Sequence, residues 1–457
     1  MRRHLQAALA TASLAGLAGC GGSGGSSGAM SSTTVAPTTS GPSTGSTILG
    51  AGSLGSTPPP PPKLPIDHVF IIFKENHTYD NYFATYPGGN GATTAKNSKG
   101  QIVPLTQYVT TIDLPGPNTW APAHADFNGG LMDKFDVGEN QGFFYSIVNA
   151  VMKGPFVTYA PPNGVPGGPI QYYWQISQQG TLCDNYFTSV MGQSIPNHMY
   201  SVAATSGGRI SNTSLTKGTC QVIDLSGNIH DHSPHFTAAE IPTTLPNELE
   251  KKGLTWKYLD EMGPTTGINT ILNLLENNND GTLNCMDVAS SLPDFNQNYT
   301  QPADLRQSLA SLLAAGQAGN VTWIKPMSQM CEHPMISEVQ NGVDWTRQIV
   351  NAIGASQYWG HCAIFITFDD FGGFYDHVPP PQIDIMGLGF RVPCMIVSPY
   401  AKKGFVDHTQ FEHSSMLKFA ERLFNITPMT TRDAASADMT DAFDFTQTPR
   451  DFSEFHF

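Results

Sequence analysis

IIFKENHTYDNYF, Ile71 to Phe83, closes an apolar run that begins at His68 and sets an acid and an amide, Glu75 and Asn76, directly behind it. HVFIIF, His68 to Phe73, is continuous rather than alternating, which is the pattern of a strand covered on both faces. Three further runs share that character: VTWI (Val321 to Ile324), CAIFITF (Cys362 to Phe368) and VPCMIV (Val392 to Val397). Helix-like stretches lie among them, at Asp304 to Ala315, Asn341 to Ala355 and Ser414 to Phe424. Strands alternating with helices specify an α/β fold, a three-layer α/β/α sandwich around a mostly parallel central sheet. In such sheets a ligand sits outside the carboxyl ends of the strands, so Glu75, Asn76, Asp369 and Asp370 are expected at the functional edge. The Gly-, Pro- and Asn-rich stretches Pro87 to Gly130 and Pro161 to Gly168 read as irregular excursions over that edge.

The composition bounds what the edge can do. The 457 residues are 40% hydrophobic and 10% aromatic, ample for a sizeable core, and only 13% charged. One catalytic domain is expected, over residues 66–457. A formal charge of -14 and a pI near 5.3 exclude nonspecific nucleic-acid binding, which needs a cationic face to displace counterions. A phosphate-bearing substrate would need local positive charge, most simply a bound metal.

The first twenty residues, MRRHLQAALATASLAGLAGC, place Arg2 and Arg3 ahead of an apolar run too short to span a bilayer, the form of an export signal. Leu17-Ala18-Gly19-Cys20 resembles the lipobox of bacterial lipoproteins, in which Cys20 is acylated and anchors the protein to a membrane. An ordinary signal peptide with Cys at its cleavage site is the alternative. Residues 21–65 are rich in Gly, Ser, Thr and Pro and end in a proline run, a flexible linker with a stiff end. The chain is thus expected to be exported, as a cell-envelope lipoprotein of the periplasm or outer membrane or as a secreted protein. Beyond Cys20 stand Cys183, Cys220, Cys285, Cys331, Cys362 and Cys394, an even number that permits disulfides without choosing among pairings. None forms a Cys-x-x-Cys pair, which argues against a zinc ribbon, and Cys362 and Cys394 fall inside expected core strands as buried thiols would.

FITFDDFGGFYDHVPPP, Phe365 to Pro381, carries Asp369 and Asp370 straight after a strand, then Gly372-Gly373, then Asp376-His377. Adjacent carboxylates repel unless a cation or a shared proton neutralises them, and a hard cation would bind them readily. A solvated loop with two acids is the plainer reading. In SVMGQSIPNHMYSVAATSGG, Ser189 to Gly208, Ser194 precedes a helix-compatible run from Pro196 to Thr205. A hydroxyl at a helix start lies in the positive end of the backbone dipole, a seat for a nucleophile attacking an anionic ester, although an N-cap serine is the commoner use.

In that order, ENHTYDNYF, GQSIPNH, EHP (Glu332 to Pro334), DDFGGFYDHVPPP, GFRVPCMIVSPY (Gly389 to Tyr400) and FEHSSMLKFAE (Phe411 to Glu421) resemble the successive motifs of the bacterial phosphoesterase family. That family includes phosphatidylcholine-hydrolysing phospholipases C and acid phosphatases, within the alkaline-phosphatase-like superfamily. The resemblance runs from about Ile66 to Phe424. It implies an alkaline-phosphatase-like fold and metal-dependent hydrolysis of phosphoric esters, with Ser194 as nucleophile and Glu75, Asn76, Ser194, Asp369 and Asp370 holding the metal. All five donate oxygen, which favours Ca²⁺, Mg²⁺ or Mn²⁺ over zinc. Asn197 matches the family's Asn and lies one turn along from Ser194, in position for a phosphate-binding role. His124, in HADFNGGLMD, and His333, in EHP, are the first candidates to stabilise the phosphate or protonate the leaving group. His377 and His413 come second, as groups that orient neighbours, and the Ser of EHSS would cap the next helix.

The departures narrow the substrate. The phospholipase branch usually reads Glu-Asn-Arg-Ser-Phe-Asp with a Thr nucleophile; here His77, Tyr79 and Ser194 stand instead, and the second acid is Asp370 rather than Glu. Serine with Asp-Asp looks closer to the acid phosphatase branch. Phosphatase and phospholipase C therefore both stay open, with GFFYSIV (Gly142 to Val148) available as an apolar rim for lipid or as core. No Cys stands in a sulfatase-like nucleophile motif. The expected partners are a phosphate ester, phospholipids included, and a membrane through Cys20, with no nucleic acid. From another class, a noncatalytic surface lipoprotein that binds a ligand with the same fold is the rival.

Overall fold

His68–Lys74 (β1), the strand marked by its apolar run, lies in the middle of an eight-stranded sheet. The structure, a computed structural model, describes residues 63–108, 116–137, 154–212, 218–233, 236–237, 239–261, 298–300, 302–334 and 336–455. The export signal with Cys20, the linker up to Pro62, the segment Gly142 to Val148 and Cys285 lie outside the described residues.

After β1 the sheet is built from β2 (Thr181–Cys183), β3 (Trp256–Asp260), β4 (Tyr299–Thr300), β5 (Val321–Lys325), β6 (Cys362–Phe368), β7 (Cys394–Val397) and β8 (Phe405–Asp407). Their spatial order is β4-β3-β5-β1-β6-β7-β2-β8. β1 pairs in parallel with β5, from Val69↔Val321 to Ile72↔Ile324, and with β6, from His68↔Cys362 to Lys74↔Phe368. Within this sheet β7 alone runs the other way, antiparallel to both β6 and β2. Every residue of β5, β6 and β7 is buried, as expected of strands covered on both faces. The parallel register sends the carboxyl ends of β1, β5 and β6 to one edge.

The helices are α1 (Tyr79–Phe83), α2 (Trp120–Phe127), α3 (Gln171–Gln179), α4 (Ser194–Ala203), α5 (Leu245–Lys251), α6 (Leu305–Ala314), α7 (Val339–Gly354), α8 (His413–Phe424) and α9 (Thr431–Ala435). They form two layers: α4 packs against α5 and α8, whereas α7 packs against α3 and α6. β1 separates the layers through its side-chain period of two. Phe73 meets the rings of His198 on α4 and His413 on α8 at 5.1 and 5.4 Å. The next residue, Lys74, turns to the opposite layer, where its ammonium donates to the Gly342 carbonyl at 3.1 Å and lies over the Trp345 ring of α7. The expected three-layer α/β/α sandwich is present.

The expected helices are found within one or two residues of their expected bounds. The stretch Pro87 to Gly130 is not wholly irregular: Thr94–Lys96 pairs antiparallel with Ile102–Pro104, and α2 falls inside it. Short β pairs with exposed outer residues carry little apolar signal, which is why they read as loop. Cys183, Cys220, Cys331, Cys362 and Cys394 are all buried free thiols. Among the described residues no helix is long and apolar enough to cross a membrane.

Candidate active site

β1 ends at Lys74 and delivers Glu75, whose backbone N–H donates to the Cys331 carbonyl at 2.9 Å. Asn76 then takes the left-handed conformation, φ 63°, which Asn tolerates better than most residues. That turn aims its backbone N–H at Asp369 Oδ1, 3.0 Å away, and its side-chain amide at Asp370 Oδ1. The neighbouring strand ends one residue before Asp369, so the Lys74↔Phe368 register brings both acids alongside Glu75 and Asn76. Gly372 makes the approach feasible: at φ 62° a Cβ there would lie 2.3 Å from the Asn76 carbonyl oxygen.

Asp370 is the hub. Its Oδ2 accepts from Ser194 Oγ at 2.9 Å, Asn118 Nδ2 donates to both of its oxygens at 3.0 and 3.1 Å, and the Gly372 N–H donates to Oδ1 at 2.8 Å. Ser194 is the first residue of α4 and only 3% exposed. The turn before it is held by Asn197, whose Oδ1 accepts from the Val190 N–H at 2.9 Å while its Nδ2 donates to the Val190 and Gln193 carbonyls at 3.1 Å. Asn197 thus spends its amide on the backbone that aims Ser194.

One turn further along α4, His198 Nε2 stands 3.5 Å from Glu75 Oε1 and 3.6 Å from Asp369 Oδ2. Lys325, the last residue of β5, brings its ammonium within 2.8 Å of that same nitrogen and 3.1 Å from Glu75 Oε1. All these groups are buried, and the field between them is strong. Burial, then the charge of Glu75, pushes the Asp369 carboxyl up to about 6. Burial, then Asp369, raises Asp370 well above the carboxylate range. Burial and the Lys325 ammonium push His198 down to about 3, so its imidazole is neutral at pH 7. Burial pulls Lys325 down, but Glu75, Asp260 and Asp369 outweigh it and carry the ammonium above its ordinary value.

Both carboxylate oxygens of Glu75, Oδ1 of Asn76 and Oδ2 of Asp369 are buried without a hydrogen-bond partner. Lys325 stands 3.1 Å from Glu75 Oε1 as a neighbouring charge. Each buried unsatisfied polar atom costs about 1–3 kcal/mol. Glu75, His198 and Asp369 each offer a ligand atom, all within 4.8 Å of one another. Such orphaned oxygens beside a neutral imidazole suit a divalent cation, and His198 adds a nitrogen to the expected all-oxygen set.

The structure thus brings Glu75, Asn76, Ser194, Asp369 and Asp370 into one buried cluster. His413 joins it from below: its Nε2 pairs with the Asp369 carbonyl at 3.0 Å and its Nδ1 with the Tyr186 hydroxyl at 3.1 Å. The other histidines have separate partners. His124 Nδ1 pairs with the Trp120 carbonyl at 2.8 Å, and His333 Nδ1 with the Pro334 carbonyl at 2.7 Å. His377 Nδ1 meets Asp80 Oδ2 at 2.7 Å, in a network where the Arg391 guanidinium donates to Asp376 Oδ1 at 2.9 Å. Glu332 of EHP is buried on the far layer, paired with Lys74 at 3.1 Å.

His198, Lys325 and Asn118 were not among the expected residues. The spacing of His198, four after Ser194, is the signal that finds it, since i and i+4 share a helix face. Lys325 follows VTWI by one residue, and only the pairing of β5 with β1 places it at the same edge. Asn118 has no such signal in the sequence.

Comparison with known proteins follows the same line. A profile described as the Phosphoesterase family matches residues 66–427. The chain is 25% identical over 454 residues to "Phospholipase C A" of Mycobacterium tuberculosis, which covers 86% of this chain and 80% of that protein. It is 25% identical over 444 residues to the non-hemolytic phospholipase C of Pseudomonas aeruginosa, across 83% of this chain and 57% of that protein. Among solved structures, a protein in the alkaline phosphatase superfamily from Vibrio parahaemolyticus aligns with a TM-score of 0.36 at 10% identity, over 83% of this chain and 72% of that one. That likeness is too distant to bear on function.

Proposed function

The chain belongs to the Phosphoesterase family, and from that premise we propose that it is a metal-dependent hydrolase of phosphoric esters in which Ser194 is the nucleophile. Phosphoric ester hydrolysis itself follows from the family and its phospholipase C relatives. The nucleophile rests on one observation above the rest: Ser194 Oγ, at the head of α4, hydrogen-bonds Asp370 at 2.9 Å beside four orphaned buried oxygens.

Glu75, Asn76, Asp369, Asp370 and Ser194 would hold the metal, with His198 at its margin. A bound divalent cation would supply the lowered pKa of the Ser194 hydroxyl and the neutralisation of the phosphoryl oxygens. Asp370 holds Ser194 Oγ in one direction, and Asn197 fixes the turn that presents it. The dipole of α4 favours an anionic group at that end. In-line attack by Oγ on phosphorus forms a phosphoserine and releases the ester oxygen as an alkoxide; water then cleaves the phosphoserine to return Ser194 and free phosphate or phosphomonoester. His124 is the preferred donor to the alkoxide. The Trp120 ring on the same helix packs beside Gly192, two residues before Ser194; with Nδ1–H donating to the Trp120 carbonyl, Nε2 would give its proton from the imidazolium form, which burial disfavours and a bound anionic ester would favour. His333 is the second candidate, and His377 supports the Asp80 network.

The export signal at residues 1–20, the lipidated Cys20, the linker over 21–65 and a catalytic domain from 66 to 457 complete the proposal, which puts the site at a cell envelope. The substrate is a phospholipid or a smaller phosphoric ester. Turnover of p-nitrophenyl phosphate and p-nitrophenylphosphorylcholine by the purified protein separates the two. Ser194→Ala and metal chelation are each expected to lower kcat at least about a thousandfold. Full activity in Ser194→Ala would reject the nucleophile. No turnover of either ester by metal-loaded protein would favour a noncatalytic ligand-binding lipoprotein.

A further inference from the structure

At the other end of β1, about 20 Å from Glu75 by strand rise, two imidazoles and a carboxylate converge away from the candidate active site. Asp67 Oδ1 lies 2.8 Å from His68 Nδ1 and is also in contact with His361 Nδ1. One ligand atom from each of the three residues falls within 4.8 Å of the others. We propose that Asp67, His68 and His361 form a second metal site, a surface chelate for a borderline divalent cation such as Zn²⁺.

The frame under these residues is rigid. His68 opens β1 and sits in register with Cys362, the first residue of β6, while His361 immediately precedes that strand. The Asp67 N–H donates to the His361 carbonyl at 3.0 Å, and Asn320 Nδ2 donates to the Asp67 carbonyl at 3.0 Å. Three donors are therefore fixed by the starts of two hydrogen-bonded core strands, so little conformational entropy remains to be lost on binding. The Tyr358 ring braces both imidazoles, with its centroid 4.5 Å from that of His68 and 6.0 Å from that of His361.

The chemistry selects the ion. Two imidazole nitrogens and one carboxylate oxygen suit Zn²⁺, Ni²⁺ or Cu²⁺ and are poor for Ca²⁺ or Mg²⁺, which prefer oxygen alone. With neutral rings the trio carries one negative charge. Burial raises the Asp67 carboxyl, but the two imidazoles outweigh it and hold it below its ordinary value, while burial holds His68 below its own. Without an ion, one carboxylate oxygen must accept from both Nδ1 atoms; an ion would bind all three atoms, with the ring protons moved to Nε2. Side-chain exposures of 15% for His68, 39% for His361 and 47% for Asp67 give an ion a path in, and three protein ligands leave a position for water. The ion would join the first residues of two central strands at the point where the described domain begins.

The test uses the full chain, stripped of metal, with Asp369→Asn to disable the carboxylate edge. Calorimetric titration with Zn²⁺ is expected to find one site in that variant, at least about a hundredfold weaker when His361→Asn is added, because loss even of a group supporting a ligand costs up to that much. Ca²⁺ is expected to show no binding there. Should His361→Asn fold poorly, diethylpyrocarbonate modification of the Asp369→Asn protein reads the same site without a mutation in it: Zn²⁺ is expected to protect His68 and His361. Absence of a Zn²⁺ site in Asp369→Asn, equal Zn²⁺ affinity with His361→Asn, or unprotected imidazoles would each overturn the proposal.

Discussion

Lys325 and Glu75 form a buried pair at the carboxylate edge. The ammonium sits 3.1 Å from Glu75 Oε1 with both side chains buried, and removing one partner of a buried pair typically costs about 3–5 kcal/mol because the other is left uncompensated. Lys325→Met should therefore destabilise the metal-free protein by about that amount, measured by denaturant unfolding. With saturating Ca²⁺ or Mg²⁺ the loss should shrink, since the cation supplies positive charge to the same oxygen. An equal loss in both conditions would mean that the ammonium and the cation do not share Glu75. At this scale the sequence was most legible where a polar residue stands directly behind an apolar run: Glu75, Asn76, Asp369 and Asp370 are all of that kind. Lys325 stands behind VTWI in the same way, but only the pairing of β5 with β1 brings it to Glu75, and Asn118, from a loop, carries no local mark.

Turns and helix joints decide whether those residues meet. Gly372→Ala would put a Cβ 2.3 Å from the Asn76 carbonyl oxygen in a left-handed conformation, so the Asp369–Asp370 loop would have to withdraw from Asn76. Turnover is expected to fall about a hundredfold or more, on the scale of a displacement of about 1 Å at the reacting groups. Activity equal to the parent would show that the loop can close without that contact. At the joint between α8 and α9, Glu421 lies against Asp433, and burial, then that acid, pushes Glu421 up to about 9. Asp433 accepts backbone N–H groups from Met429, Thr430 and Ala434, which hold its carboxylate beside Glu421. A folded value above the ordinary 4.5 means that the native state binds more protons than the unfolded chain between those limits. The contribution of Glu421 to stability is thus fully present below the lower limit and declines as pH rises toward about 9. Glu421→Gln should flatten that decline in unfolding curves taken from pH 6 to pH 10; an unchanged slope would assign the decline elsewhere. Helix spans were readable because apolar period and polar flanks coincide, as in α8, whereas the reversed direction of β7 was not: VPCMIV is as apolar as its parallel neighbours, and a strand buried on both faces looks alike in either orientation.

For the whole molecule, strand–helix alternation was sufficient to specify the sandwich, because each apolar run is long enough to be buried on both faces and each intervening helix has one apolar side. Binding at the carboxylate edge should be felt globally: a cation that binds only the native state stabilises it by about 2.7 kcal/mol at a hundred times its Kd. Thermal unfolding of the metal-stripped protein with added Ca²⁺ or Mg²⁺ measures this, and Asp369→Asn should abolish the shift. The buried thiols give the same fold a clock. Cys183 and Cys394 face each other across β2 and β7, and Cys362 opens β6, so three sulfurs sit within the central sheet itself. A thiol-modifying reagent can reach them only when strands part. Pulse labelling read peptide by peptide would thus time the opening of the sheet from its own side chains, with no engineered probe.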